Sequence, residues 1–443
     1  MENQRNTDRI SSLPELIRSH ILSFLPIQEA LNTTFLSRQW RCIASSLSTF
    51  ELIGDERFLD RIFLFLLEVH GFPEIKKFSV SLPDSWYGIK PSRLGFYMRF
   101  AIKRSVQEIY LNVLKACNPS SDLFSCVFTC ETLTVLTLIS IDLKLPQVIS
   151  LPVLKKLTLG SILFFDDHLT ENFFKSCHKL EDLTIDNCSP KHLNVLSISS
   201  LTLKRLKVVL ECDDASKEIK ISAPNLYRLE YCCIILPKIM LETLTSLVNV
   251  KFRFDAHFSS DWGRCVFYQH AEKIWTSLQN VAALCLYHKL YVEFLTKSPD
   301  ILAGIPTSSL KHLGLVMSST NNHVRVISFL LSRCLNLQTL QIYVTQGQLT
   351  SKKSLELEQY QHLNPSSNED ILKQLKSIVF YYFQGSESEL DLAKYLLANA
   401  IVLEKLEVRY SSKVRSNAEA CVKSGEKLSS FTRVSPDAVL SFL

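Results

Sequence analysis

Glycine is scarce, with 11 residues in a chain of 443. Loops that cradle phosphate groups need backbone conformations and close approaches that side chains forbid, so such loops are not expected here. No Gly-x-Ser-x-Gly elbow, no P-loop and no His-Glu-x-x-His pair occurs, and no constellation for nucleophilic, nucleotide or zinc-peptidase chemistry remains. The adjacent acids Asp166-Asp167 and Asp213-Asp214 read as solvated surface, and the chain is expected to be no enzyme and to need no cofactor. The 13 cysteines are odd in number and contain no Cys-x-x-Cys, which favours reduced thiols over a disulfide framework. The opening MENQRNTDRI is polar throughout and lacks a secretory signal. The most apolar window, residues 58–69, is broken by Asp60, Arg61 and Glu68 and is too short for a bilayer. A dominant charge is lacking too: a net +5 with Lys and Arg spread along the chain is too dilute for nucleic acid or a membrane surface. These absences predict a cytoplasmic and/or nuclear protein.

What the chain does have is apolar surface to bury, with 47% hydrophobic and 21% charged residues. One pattern organises it: apolar, two variable, apolar, one variable, apolar. It recurs thirteen times, from Ile75/Phe78/Val80 and Val106/Ile109/Leu111 to Leu375/Ile378/Phe380 and Leu403/Leu406/Val408, at intervals of 21 to 38 residues. That is the leucine-rich-repeat signature of one short strand per turn. A single turn cannot bury its inner side chains, whereas a stack can. The strands of an ordinary α/β domain would not come in this number with such uneven connections. The pattern therefore predicts an α/β fold, a curved solenoid with one short parallel strand per repeat and irregular helices outside.

The alternation at the end of each copy turns one residue away from the core. In order these are Ser79, Tyr110, Thr137, Thr158, Thr184, Lys207, Glu230, Lys251, Cys285, Gly314, Gln341, Val379 and Glu407. They are expected to line the concave sheet, the binding face of such solenoids, with Tyr110, Lys207, Glu230 and Lys251 as the candidate target-binding set. Lys204, Arg205, Arg228 and Arg253 flank it. An acidic peptide or an inositol polyphosphate would suit such a patch; the bland alternative is a solvated salt-bridge ladder.

Ahead of the repeats, residues 8–47 read as three short helices with almost no slack. Leu13, Ile17, Ile21, Phe24 and Leu25 recur at helical spacing. Pro14 suits a first helical turn, Glu15 the positive end of the helix dipole, and Pro26 closes the helix. A second pattern runs from Glu29 to Leu36, and Ser37 can cap a third with Trp40, Ile43, Ala44 and Leu47 on one face. So small a unit cannot bury this apolar surface alone.

Leu13-Pro14-Glu15-Leu16-Ile17, then Ile21-Leu22-Ser23-Phe24-Leu25-Pro26, then Leu36-Ser37-Arg38-Gln39-Trp40-Arg41 resembles the F-box, in the form found in plants. The family usually has Asp where Glu15 stands, and Cys42-Ile43-Ala44 occupies the place of a further Trp. The resemblance implies docking of a Skp-type adaptor and, through it, a cullin, with Leu13, Pro14, Leu16, Ile17, Leu25, Pro26, Leu36 and Trp40 in the interface. The stretches 106–111, 128–136, 176–183 and 222–226 are similar to the repeats of plant F-box proteins. Residues 372–408, with Gly385-Ser386-Glu387-Ser388-Glu389 and Tyr395-Leu396-Leu397-Ala398-Asn399-Ala400, resemble the FBD region that often ends such chains.

The organisation expected is a polar tail at 1–7, the F-box at 8–50, repeats at 51–370, the FBD-like repeats at 371–411 and a C-terminal tail at 412–443, its last stretch weakly ordered. Ser48 to Asp55 reads as a bridge and Arg57 to Val69 as a helix. Ser81 to Leu94, Asp255 to Lys273 and Gln346 to Glu369 read as insertions, the last as the mobile loop. The resemblance implies a substrate-receptor subunit of a Skp–cullin–F-box ubiquitin ligase that holds an unknown target protein, with no nucleic acid and no membrane among its partners. An adaptor-binding scaffold or a ligand-assisted sensor without a degradation role is the alternative. One rival site competes: His168, Cys177, His178, Cys188 and His192 are zinc-type ligands within 25 residues, but their spacing matches no known finger, and no metal is expected.

Overall fold

The computed structural model describes residues 9–40, 47–53, 60, 74–81, 91–113, 125–141, 144–211, 216–233, 238–242, 244–254, 261–277, 280–298, 300–301, 307–345 and 372–443. The helix expected over Arg57–Val69 lies outside these residues except for Asp60, and so does the loop Gln346–Glu369. The chain divides into two compact units, Met1–Pro224 with Ile239–Thr243, and Asn225–Lys238 with Leu244–Leu443.

The first unit opens with helices α1 (Glu15–Ser23) and α2 (Ile27–Asn32), each led in by a proline, Pro14 and Pro26, then a 3-10 turn, Thr33–Phe35, and helical residues 38–40. Strands β1 (Thr49–Ile53), β2 (Lys77–Ser81), β3 (Glu108–Asn112), β4 (Val135–Ile139), β5 (Lys156–Gly160), β6 (Asp182–Cys188) and β8 (Arg205–Leu210) follow, each pairing in parallel with the next. Helices α3 (Pro91–Ile102) and α4 (Asp167–Ser176) lie in its connections. Strands β7 (Val195–Ser199), β9 (Glu218–Ser222) and β11 (Lys238–Glu242) form a separate three-stranded sheet in the order β11-β9-β7. The sequence reading provided only for loops and helices there. The signal was present: Leu196 and Ile198, like Ile219 and Ile221, alternate with polar residues and are buried.

The second unit repeats the scheme with β10 (Arg228–Cys233), β12 (Asn249–Phe254), β13 (Ala283–Tyr287), β14 (His312–Ser318), β15 (Thr339–Thr345), β16 (Ser377–Phe383), β17 (Lys405–Tyr410) and β18 (Val439–Phe442). Its helices are α5 (Asp261–Ser277), α6 (Leu290–Lys297), α7 (Asn321–Arg333), α8 (Glu387–Asn399), α9 (Ser412–Arg415) and α10 (Ala418–Ser429). Polar side chains start several of them. Asp166 accepts from the Leu169 N–H at 2.8 Å to cap α4, and Thr320 and Ser386 cap α7 and α8.

The thirteen apolar triplets each place two residues on a strand, β2 to β6, β8, β10 and β12 to β17, and one just before it, and all of their side chains are buried. Each inward Leu, Ile or Phe withdrawn from water contributes about 1.5–3 kcal/mol, against about 0–1 kcal/mol for an exposed ion pair. The stack is therefore held by its inner rows. Two further strands escaped the sequence reading. Leu47, Phe50 and Leu52 obey the same template and are buried, so residues 49–53 are a first strand rather than a bridge. The expected tail, 412–443, instead folds as α9, α10 and β18, with β18 paired to β17. It went unread because Asp437 stands where the template asks for an apolar residue. The FBD-like unit is then followed by a further turn, whose strand β18 pairs with β17.

Candidate functional site

Two surfaces present side chains that the core does not use. The first is on the N-terminal helices. Helix α1 buries Arg18 and Leu22, not its periodic apolar stripe. Leu16 is 84% exposed, Phe24 75%, Phe35 83% and Leu36 69%, with Ile17 and Ile21 also open to solvent. Pro14 and Pro26 are exposed, and Leu13 and Leu25 half-buried. Phe24 and Phe35 belong to this open face, although the sequence reading names neither for the interface.

Trp40 is placed differently from the expectation that it waits for a partner. It is 5% exposed. Its indole N–H donates to Ser11 Oγ at 2.9 Å, and the Arg18 guanidinium carbon lies 5.8 Å from its ring centroid. Arg18 also donates to Gln39 Oε1 at 3.3 Å. Trp40 thus packs the module from within. Cys42, Ile43 and Ala44 lie outside the described residues.

The second surface is the outward face of the sheets, where the structure brings the predicted residues into line. In the first unit Glu51, Ser79, Tyr110, Thr137, Thr158, Thr184 and Lys207 are successive partners in one row. Lys207 is paired with Asp186 at 2.8 Å, Lys204 with Glu181 at 3.1 Å and Arg205 with Asp182. In the second unit Glu230, Lys251, Cys285, Gly314, Gln341, Val379 and Glu407 form the corresponding row. Lys251 reaches Glu230 at 3.4 Å. Glu407 is held between Lys405 and Arg409, and these hydrogen bonds, Lys405 first, keep its carboxyl below the usual range.

Two residues further along the same strands lies a feature the sequence reading missed. Arg253 pairs with Tyr287, Val316 with Tyr343, Tyr343 with Tyr381, and Tyr381 with Arg409. The rings touch: Tyr343 and Tyr381 stack with centroids 4.4 Å apart, and Tyr287 meets Tyr343 edge-on at 4.9 Å. Lys251 Nζ lies 5.2 Å from the Tyr287 centroid and the Arg409 guanidinium carbon 4.9 Å from that of Tyr381. Burial raises the hydroxyl pKa of Tyr287 and Tyr343. The signal was an aromatic two residues beyond the outward position in three of the repeats.

The rival metal cluster is dispersed into other contacts. His168 lies against Asn172 at 3.1 Å and His192 stacks on Phe165. Cys177 and Cys188 donate to the Phe173 and Leu159 carbonyls, each at 3.3 Å. Burial pushes both thiols up to about 12. No group of three or more His, Cys, Asp or Glu among the described residues could hold a metal ion. No helix among the described residues is long and apolar enough to cross a membrane.

The chain matches the family model of the F-box domain over residues 10–52 and the model described as "At1g61320/AtMIF1, LRR domain" over residues 66–436. It is 26% identical over 430 residues to the putative F-box/FBD/LRR-repeat protein At5g44950 of Arabidopsis thaliana, with 93% of this chain and 94% of that protein covered. To the F-box/LRR-repeat protein At4g14103 of the same plant it is 32% identical over 275 residues, 56% of this chain and 68% of the other. The F-box/FBD/LRR-repeat protein At2g26030 is 24% identical with 97% of both chains covered.

Proposed function

Because this chain belongs to the family of F-box proteins with leucine-rich repeats and an FBD-like region, we propose that it is a substrate-receptor subunit of a Skp–cullin–F-box ubiquitin ligase. The observation that carries this reading is the open apolar face of the N-terminal helices. Leu16 and Leu36, at 84% and 69% exposure, lie within the F-box match. Covering such a side chain is worth about 1.5–3 kcal/mol, so a partner surface gains what the isolated module leaves in water. Leu13, Pro14, Leu16, Ile17, Leu25, Pro26 and Leu36, joined by Phe24 and Phe35, are the residues assigned to the Skp-type adaptor, and the adaptor carries the cullin.

The repeats hold a target protein. The chain makes and breaks no bond itself. By holding the target in the complex it raises the effective concentration of the target's lysines near the ubiquitin-charged enzyme, a proximity effect. The work belongs in the cytoplasm and/or nucleus, where that ligase machinery acts.

The test replaces two exposed leucines together, Leu16→Asp with Leu36→Asp, and measures adaptor co-purification and thermal unfolding. Loss of the adaptor with an unchanged midpoint is expected, since neither side chain packs in the chain. Retention of the adaptor by this variant would remove the docking assignment.

A further inference from the structure

The tyrosines of the second unit are placed where the stack itself has no use for them. The inner rows of β12 to β17 are already complete, with Phe252, Leu286, Leu315, Ile342, Phe380 and Val408 all buried. Tyr287, Tyr343 and Tyr381 stand on the opposite face, and each is only half-buried. Tyr287 and Tyr343 come from strands on either side of β14 and still meet, their hydroxyls 3.4 Å apart. On β14 the residue in register with Tyr343 is Val316, and the outward position before it, beside Cys285 and Gln341, is Gly314. A Cβ there would lie 3.0 Å from Cys285 Sγ, and Gly314 and Val316 are buried although they face outward. The result is a continuous floor of three rings, with cations at both ends.

Its charge has a sign. Lys251, Lys405 and Arg409 border the floor against Glu230 and Glu407. Both carboxylates are ion-paired within the chain, Glu230 to Lys251 at 3.4 Å and Glu407 to Lys405 and Arg409. The excess is positive, so charge complementarity selects an anionic occupant. The shape selects an extended one. From β12 to β17 the floor crosses five strand spacings, about 24 Å, the reach of roughly seven extended residues. Stacked tyrosines add large, stiff contact area at small entropic cost, the quality of interface anchors.

We propose that the sheet face bearing Tyr287, Tyr343 and Tyr381 is the target-docking site, and that it takes an extended acidic segment of a target protein, with carboxylates on Lys251 and Arg409 and an aromatic side chain against the tyrosines. This deepens the receptor reading and rests on it for the word target; the binding chemistry itself does not depend on the adaptor.

The experiment uses the full chain and fluorescence anisotropy of a labelled peptide of alternating glutamate and serine with one central tryptophan. Two companion peptides replace the glutamates by lysine or the tryptophan by serine. The wild-type chain is expected to prefer the acidic, tryptophan-bearing peptide over both companions. Lys251→Glu and the pair Tyr343→Ala with Tyr381→Ala are each expected to weaken it roughly tenfold or more, the scale of a lost interface anchor. Lys413→Glu makes the same charge change on the exposed end of α9 and should leave binding unchanged. Absence of binding, equal binding of the lysine peptide, or an equal loss with Lys413→Glu would overturn the proposal. Lys251 and the peptide substitutions touch no core residue, so the answer stands even if the double tyrosine variant unfolds. Failure of adaptor co-purification would sink the receptor reading and leave these measurements intact.

Discussion

Glu389 is fully buried, and its Oε1 accepts a hydrogen bond from Ser319 Oγ at 2.7 Å, across 70 residues of sequence. The same carboxylate accepts from Ser386 Oγ at 2.7 Å and from the Gln384 and Gly385 N–H groups at 2.7 and 3.1 Å. Ser386 and Glu389 thus complete the start of α8 in a capping-box arrangement and tie it to the turn that leads into α7.

Glu389→Ala should therefore be among the most destabilising single changes in the second unit. It strands four donors, each costing about 1–3 kcal/mol when left unpaired in the interior. A loss of about 3–5 kcal/mol in urea unfolding is expected, with a smaller loss for Glu389→Gln, which keeps the shape and one acceptor. Equal stability of the alanine variant would show that the carboxylate is dispensable.

Trp40 separates folding from docking. Trp40→Phe removes the bond to Ser11 and should cost about 1 kcal/mol, while Trp40→Ala empties a packed site and should cost about 3–5 kcal/mol. Adaptor co-purification is expected to survive the first change and to fall with the second only as the N-terminal helices melt. Circular dichroism of the two variants checks the order.

Gly314→Val tests the floor of rings. The new branches meet Cys285 Sγ, already 3.0 Å from an added Cβ, on the strand that also carries Tyr287. Overpacking of this kind costs about 1–3 kcal/mol. The near-ultraviolet tyrosine signal should change, and affinity for the acidic peptide should fall with it.

Two histidines make stability depend on pH. Burial lowers His270 to about 3 and His323 to about 4, and Lys273 adds to the effect on His270. Both folded values lie below the ordinary 6.5, so the unfolded chain binds the protons first as pH falls. The stability they contribute is complete above about 6.5 and drains away between there and pH 3–4. At pH 5 each ring should cost on the order of 2 kcal/mol relative to pH 7. His270→Phe, set among Phe252, Phe254, Phe267 and Tyr291, should flatten the urea midpoint between pH 7 and pH 5. An unchanged slope would show that His270 is not neutral in the fold.

Thiol labelling reads the burial of the cysteines. Burial pushes Cys177, Cys188 and Cys334 up to about 12, so about one in ten thousand is thiolate at pH 8. Cys265 is exposed. Native alkylation followed by mass spectrometry should mark Cys265 and spare the other three until the chain unfolds.

The strand rows were legible in the sequence because alternation is a local property: a residue between two inward neighbours must face out, whatever the fold around it. That is why Ser79, Tyr110 and Lys207 fall in one row, and Lys251, Gln341 and Glu407 in another. The N-terminal module was legible as a resemblance carried by Leu13-Pro14 and Leu36-Ser37-Arg38. Its orientation was not. Helical periodicity marks the stripe Ile17, Ile21 and Phe24 but does not say which face the neighbours cover, and the structure turns Arg18 and Leu22 inward instead. Position along the chain likewise could not tell that Tyr287 and Tyr343 would meet across β14, or that Lys207 would answer to Asp186. The sequence determined which side chains lie inside each turn, since that depends on a period of two. Tertiary structure decided which outward side chains touch, since that depends on what the strands between them leave empty.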